Sequence, residues 1–177
     1  MKSDYITRAK RLIQQLYNYL EDCKTDKDYR YAVNSFNQHK SRHIQMTSGM
    51  SRRVFICSDY VIKIDKPQSM FGTCEDECDQ YQQALDDGYE YLFAPITRFQ
   101  YKKCLFYIMP CVNALGCQLH NKDIEYYLNW DEWDYLIHHV DDVHDENWGI
   151  LHNQPVVFDY ACRNYDNEDD EEEEEEE

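Results

Sequence analysis

The stretch "RRVFICSDYVIKIDK", residues 52–66, decides the fold class of this chain. Two runs rich in apolar and β-branched residues, 53–57 and 60–65, flank a short polar turn, a pattern that predicts a pair of antiparallel strands. The second run carries Lys63 between two isoleucines. Because a buried ammonium group needs a partner of opposite charge, Lys63 either faces solvent from an edge strand or meets an acidic side chain.

The segment that follows these strands offers two acidic partners. "CEDECDQYQQALDDG", residues 74–88, has the composition of a helix that ends at its final glycine. Glu75 and Glu77 both lie near its start, where a helix packed on the sheet could bring either one to Lys63. Glu77 is the preferred partner, because it shares a helix face with a cysteine and a tyrosine, and Glu75 remains the alternative.

The rest of the chain completes an α+β pattern of helices around an antiparallel sheet. Apolar residues at helical spacing and strand-like runs around polar turns predict the further elements. Helices are predicted at 4–22, 27–40, 123–129 and 131–140, two strands within 92–112, and a hairpin formed by 148–151 and 155–159.

Charge is concentrated at the C-terminal end. The formal charge is −17, but 11 of the 35 acidic residues lie in 166–177, so residues 1–165 carry 24 acidic and 18 basic side chains. We expect the tail to be solvated and disordered, and a decoy for basic surfaces is the alternative. The remainder has no basic stripe, which argues against direct nucleic-acid binding.

The cellular setting follows from the N-terminus and the cysteines. Residues 1–20 contain no apolar core of the kind found in secretory signals, and no apolar run approaches the length of a membrane span. Four of the eight cysteines, Cys57, Cys104, Cys111 and Cys162, lie within or beside apolar runs, where a free thiol packs as a small hydrophobe. We therefore expect reduced cysteines, a cytoplasmic protein and no membrane association.

The stretch "DDVHDENWGILHNQPVVFDYA", residues 141–161, carries the densest set of polar candidates. Asp142 and Asn147 are five residues apart before the predicted hairpin, and Asp159 follows it among apolar residues. The hairpin would bring Asp142 and Asn147 to face Asp159.

Together these features resemble the protein-kinase-like family, and most closely its small bacteriophage-encoded members. The resemblance spans about residues 46–162, and its motifs occur in the family's order. They are a shortened nucleotide loop in "SGMSRRVF" (48–55), the strand lysine in "VIKI" (61–64), strands leading to a hinge in "LFAPI" (92–96) and "LFYIMP" (105–110), a catalytic loop in "DVHDEN" (142–147), and a D-F-G-like motif in "VVFDYA" (156–161).

The resemblance implies a role for each candidate residue in binding ATP and Mg²⁺. Lys63 and Glu77 would orient the phosphates, and Ser48, Gly49 and Arg52 would belong to the nucleotide loop. Asn147 and Asp159 would hold the metal, and Asp142 would act as the base. The implied organisation is an N-terminal helical segment (1–45), a kinase-like N-lobe (46–112), a truncated helical C-lobe (113–163) and the acidic tail (164–177).

The implied function is that of a minimal atypical kinase, phage-encoded, that transfers the γ-phosphate of ATP to a serine or threonine of a host protein. The sequence departs from the family, however, because the loop has a single glycine, D-Y-A replaces D-F-G, and only 18 residues follow Asp159. The alternative is therefore a catalytically inactive kinase-like module, a pseudokinase, that binds and inhibits a host factor with the help of its acidic tail.

Individual residues also have plainer interpretations. Asp142 could cap the preceding helix, Asp159 could lie at the surface, and Arg52 and Arg53 could be solvated. A different metal site could use four other side chains: His138, His139, His144 and Asp145.

Overall fold

A computed structural model describes residues 4–67, 69, 73–112, 127–140 and 147–160. Within these ranges the chain is α+β, with a five-stranded antiparallel sheet, a two-stranded sheet and four α-helices. The helices are α1 (Asp4–Leu20), α2 (Asp26–Lys40), α3 (Cys74–Asp87) and α4 (Trp130–His139). The strands are β1 (Gln45–Ser48), β2 (Arg52–Ile56), β3 (Tyr60–Asp65), β4 (Thr97–Tyr101), β5 (Cys104–Pro110), β6 (Trp148–Leu151) and β7 (Gln154–Val157).

The large sheet has the order β1-β2-β3-β5-β4, and every neighbouring pair is antiparallel. The predicted pairing of the two strands in 52–66 is confirmed, with β2 beginning one residue earlier than expected. Because β3 lies between β2 and β5, Lys63 faces Val54 on one side and Tyr107 on the other. The interpretation of Lys63 as a solvated residue of an edge strand is therefore wrong.

Each face of the sheet is covered by its own hydrophobic core. On one face, α1 and α2 pack against Phe55, Ile62, Phe106 and Ile108. On the other face, α3, α4 and the β6–β7 hairpin pack around side chains that include Tyr107 and Met109. Successive residues of a strand point to opposite faces, so β5 contributes to both cores and has no solvent side over Phe106–Pro110.

Helix α3 is fixed at both ends by local chemistry. Thr73 caps its N-terminus in a reciprocal pair with Asp76, and the helix ends at Gly88 as predicted. Gly88 has a φ of 83°, a left-handed conformation that favours glycine. The carboxylate of Asp65, at the end of β3, accepts the backbone N–H of Cys74 at 2.8 Å, which ties the start of α3 to the sheet.

Two segments differ from the sequence expectation. Residues 92–96, predicted as a strand, form the end of a 3-10 turn and an extended segment in which Phe93 makes an isolated bridge to Val157. Pro95 has no N–H to donate to a strand ladder, which accounts for the difference. Strand β1 was not predicted, because Gln45–Ser48 is a polar run at the edge of the sheet.

The C-terminal elements largely agree with the prediction. Strands β6 and β7 form the expected hairpin, joined through His152 and Asn153 at φ values of 54° and 68°, the left-handed conformation used by tight hairpin turns. Helix α4 matches the helix predicted at 131–140. Most of the helix predicted at 123–129 lies outside the described residues. No helix in the described part of the chain combines the length and apolarity needed to cross a membrane.

Candidate functional site

A cleft of about 480 Å³ lies between one face of β1–β3 and the segment that follows the β6–β7 hairpin. One end is apolar and is formed by Val54, Val61, Met109 and the chain at 110–112. The other end is charged and is formed by Arg52, Lys63 and Asp159. The cleft thus offers a ligand one apolar end and one charged end.

Lys63 forms a buried ion pair with Glu77. Its Nζ donates to both carboxylate oxygens of Glu77, at 2.7 and 2.8 Å, and also lies 3.3 Å from the carbonyl oxygen of Phe158. Lys63 is 5% exposed and Glu77 is fully buried. The prediction that Glu77, and not Glu75, is the ion-pair partner of Lys63 is confirmed.

Glu75 has a different role in the packing of α3. Its carboxylate accepts the hydroxyl of Tyr107 at 2.7 Å and a guanidinium N–H of Arg98, also at 2.7 Å. These two contacts join the first turn of α3 to β5 and β4. Glu75 therefore holds the helix on the sheet, and Glu77 on the same helix is brought against Lys63.

Arg52 points into the same charged cluster. Its guanidinium contacts a carboxylate oxygen of Asp159 through Nη2, and its Nη1 lies 3.1 Å from Oε1 of Glu77. Burial disfavours the charge, but the carboxylates of Glu77 and Asp159 outweigh this effect and the pKa of Arg52 is raised. The solvated interpretation of Arg52 is wrong, since only 12% of its side chain is exposed.

Asp159 lies where the hairpin meets the cleft. The backbone N–H of Phe158 donates to the carbonyl of Asn147 at 2.9 Å, so the chain before the hairpin adjoins the chain after it, as expected. The next residue, Tyr160, is buried, and its hydroxyl donates to the carbonyl of Ala94 at 2.7 Å. This anchor fixes the segment that carries Asp159, whose own side chain is 42% exposed.

The expected magnesium site can be tested against these contacts. A magnesium ion would need an oxygen of Asp159, but the guanidinium of Arg52 already contacts Oδ1 of that carboxylate. A second cation at the same group would be repelled by the first. With Arg52 in place, one oxygen of Asp159 is taken and a positive charge lies beside the other, so the described arrangement fits magnesium poorly.

The nucleotide-loop residues are only partly directed to the cleft. Arg52 lines it, but the hydroxyl of Ser48 donates to Asp26 at 2.7 Å, and the carbonyl of Gly49 accepts Nζ of Lys66 at 2.6 Å. Strand alternation is the reason, because Thr47 faces the cleft and Ser48 therefore faces α2. This placement does not support the predicted contact between the Ser48 side chain and a nucleotide.

Asp26 holds the β1–β2 turn from outside the cleft. Its carboxylate accepts Nε of Arg53 at 2.8 Å and Nζ of Lys66 at 3.1 Å, in addition to the Ser48 hydroxyl. These bonds, that of Ser48 first, lower the pKa of Asp26 to about 2. Arg53 is thus neither solvated nor in the cleft.

Several candidate residues lie outside the described ranges, namely Asp142, His144 and Asp145. Of the other residues suggested for a second metal site, His138 and His139 direct ring nitrogens to backbone carbonyls of their own helix. In the described part of the chain no group of three histidine, cysteine or acidic side chains could hold a metal ion.

The described cysteines have free thiols: Cys23, Cys57, Cys74, Cys78, Cys104 and Cys111. Burial raises the pKa of Cys57 to about 12 and that of Cys78 to about 12. A thiol with such a pKa remains protonated near neutral pH and is a poor nucleophile. The described cysteines whose thiol pKa is raised this far therefore act as packing residues, as expected.

Sequence reasoning did not identify Tyr107, Met109 or Tyr160 as parts of the site. The alternation of β5 was a usable signal for the first two, because Tyr107 and Met109 lie on the same face of the strand. Tyr160 has no comparable local signal, since its partner Ala94 is 66 residues away.

No protein-family model matches this chain, and no curated protein is significantly similar to it in sequence. Function is therefore inferred from the cleft and its charged cluster.

Proposed function

We propose that the cleft binds a nucleoside triphosphate, ATP in the first instance, in the manner of protein-kinase-like proteins. The observation that carries this proposal is the buried Lys63–Glu77 pair at the charged end of the cleft. In that family a lysine of the third strand pairs with a glutamate of the following helix and with nucleotide phosphates. Lys63 lies on β3 and Glu77 on α3, the helix that follows.

The shape of the cleft supports the same proposal. Its volume of about 480 Å³ lies within the range of small-molecule sites, roughly 300–1,000 Å³. The apolar end, with Val54, Val61 and Met109, suits a flat base, and the charged end suits phosphates. The chain leaving β5, at Cys111 and Val112, lines the apolar end, where a hinge would lie.

We further propose, as the first candidate activity, transfer of the γ-phosphate of ATP to a serine or threonine of a host protein by a phage-encoded kinase acting in the host cytoplasm. Asp142 would position the acceptor hydroxyl, and Asn147 and Asp159 would hold Mg²⁺ once Arg52 had left Asp159, with the ion then neutralising phosphate charge. The position of Asn147 beside Phe158 supports this role for the hairpin.

The second candidate is a kinase-like module that binds nucleotide without transferring phosphate and acts by binding a host factor. The contact between Arg52 and Asp159 favours it, because the carboxylate required for the metal is paired with a cation of the protein. Both candidates require nucleotide binding and differ in transfer.

Titration calorimetry with ATP at millimolar magnesium tests the shared proposal. We expect the wild type to bind, and we expect Lys63→Met to weaken binding by about tenfold or more, equivalent to about 1.4 kcal/mol. Lys103→Met is the matched control, because Lys103 is exposed on the turn between β4 and β5. A folded wild type that binds no ATP, with or without magnesium, would overturn the proposed function.

A phosphate-transfer assay with radiolabelled ATP separates the two candidates. If the protein is a kinase, Asp142→Asn should retain ATP binding and lose transfer, since its proposed role is to position the acceptor. Binding without any transfer by the wild type would favour the non-catalytic candidate.

A further inference from the structure

We infer that Arg52 takes the place of the divalent cation at Asp159, and that the cleft accepts the metal-free form of a nucleoside triphosphate. This inference rests on the proposed nucleotide binding and specifies the ionic form of the ligand. It depends on the position, contacts and permanent charge of one side chain.

The position of Arg52 is set by the sheet. Arg52 is the first residue of β2 and pairs with Asp65 of β3. The alternation of the strand places its side chain on the same face as Val54, and both residues line the cleft. The guanidinium is therefore carried by the sheet beside Lys63, at the end where phosphates would lie.

The contacts of Arg52 leave one nitrogen with unused capacity. Nη2 contacts Asp159, and Nη1 lies 3.1 Å from Glu77. Among the described residues, however, the buried Nη1 has no partner with hydrogen-bond geometry. A buried donor without an acceptor is costly, so the guanidinium would gain by turning Nη1 toward the cleft, where a phosphate oxygen would supply the acceptor.

The charge of Arg52 cannot be removed by titration near neutral pH. Arginine stays protonated in proteins, and the two neighbouring carboxylates favour the charged form further. The cluster of Arg52, Lys63, Glu77 and Asp159 thus holds two positive and two negative charges. A divalent cation added at Asp159 would lie against a guanidinium, whereas an anion would compete with Asp159 for that guanidinium.

A triphosphate anion would therefore draw its counter-charge from Arg52 in exchange for Asp159, whose 42% exposed carboxylate can be solvated when the pair opens. The planar guanidinium matches two phosphate oxygens at once, and the ammonium of Lys63 adds a point charge beside it. Magnesium in solution would compete for the same phosphates and would lower the concentration of the metal-free nucleotide. We expect affinity for ATP to be retained when divalent cations are removed.

Calorimetry with the full chain and ATP, in EDTA and in millimolar magnesium chloride, tests the inference. We expect wild-type affinity in EDTA to equal or exceed that in magnesium. We expect Arg52→Gln to lose about tenfold or more in EDTA and to become dependent on magnesium, since the charge-assisted contact of the guanidinium with phosphate is lost. Arg98→Gln is the control, because Arg98 is 56% exposed and pairs with Glu75 instead.

The possible results distinguish failure of this inference from failure of the proposed nucleotide binding. Wild-type binding in magnesium but not in EDTA would overturn the inference and leave the proposed function standing. Binding in EDTA that Arg52→Gln does not change would also overturn it. Absence of binding under both conditions would overturn the proposed function itself. If Arg52→Gln does not fold, Arg52→Lys replaces it, because lysine keeps the positive charge but lacks the planar guanidinium. Arg52→Lys should bind ATP more weakly than the wild type in EDTA, and unchanged affinity would count against the inference.

Discussion

Glu77 is the residue on which the charged cluster depends. It is fully buried and balances two cations, Lys63 at 2.7 Å and Arg52 at 3.1 Å. A buried ion pair need not add net stability, but removal of one partner leaves an uncompensated charge in the interior. Glu77 is thus required by the fold as soon as Lys63 and Arg52 are present.

Replacement of Glu77 should therefore destabilise the protein strongly. We expect Glu77→Gln to lower the free energy of unfolding by about 3–5 kcal/mol, the usual cost of breaking a buried pair. Lys63→Met should cost less, because Arg52 still balances Glu77. Urea unfolding followed by circular dichroism measures both values.

Glu75→Gln provides the matched control on the same helix. The Glu75 side chain is 40% exposed, and glutamine can still accept the hydroxyl of Tyr107, so we expect a loss below about 1 kcal/mol. Equal losses for Glu75→Gln and Glu77→Gln would contradict the assignment of Glu77 as the central counter-charge.

At the scale of elements, a glycine lets the hairpin close against the chain that leaves β5. A Cβ built on Gly149 of β6 would lie 2.1 Å from Cγ1 and 3.3 Å from Cβ of Val112. Val112 also lines the cleft, so the close approach at Gly149 sets one wall of the site. The branched side chain of valine has little freedom to move away.

Gly149→Ala should therefore destabilise the protein by about 1–3 kcal/mol, the usual cost of overpacking a core. Val112→Ala introduced into the same chain should recover part of this loss, because it removes the methyl group that clashes. Thermal and urea unfolding of the single and double variants measure the coupling.

Gly49→Ala is the control for this comparison, because a Cβ at Gly49 meets nothing within 4 Å and we expect little change. Purely additive losses in the double variant of Gly149 and Val112 would contradict the proposed contact.

At the scale of the whole molecule, one sheet separates two hydrophobic cores, and only one of them adjoins the cleft. Helices α1 and α2 close one face, and Asp26 at the start of α2 holds the β1–β2 turn. The opposite face carries α3 and the hairpin, and with them the cleft. The charged cluster thus lies on the face away from α1 and α2.

The acidic tail should contribute little to this architecture. We expect deletion of residues 166–177 to leave the melting temperature nearly unchanged, because a run of like charges has no apolar area to bury. Differential scanning calorimetry of the full chain and of residues 1–165 makes the comparison. A fall of many degrees, or loss of folding, would show that the tail contributes to the core.

Much of the fold could be predicted from local patterns. The pairing within residues 52–66, the end of α3 at Gly88 and the β6–β7 hairpin all follow from the spacing of apolar residues and from turn chemistry, which depend on residues close in sequence. The need of Lys63 for an acidic partner, with Glu77 preferred, was also present in the sequence, because burial of a charge has a cost wherever it occurs.

The rest was decided by the tertiary structure. Alternation along a strand separates two faces but does not say which face meets the cleft or which strands flank it, so the central position of β3 and the orientation of Ser48 toward Asp26 had no local signal. Arg52 and Asp159 are 107 residues apart, and only the packing of β2 against the segment after the hairpin brings them together. The sequence by itself determined which charges the protein contains, and the fold decided which of them meet, because that choice depends on long-range packing.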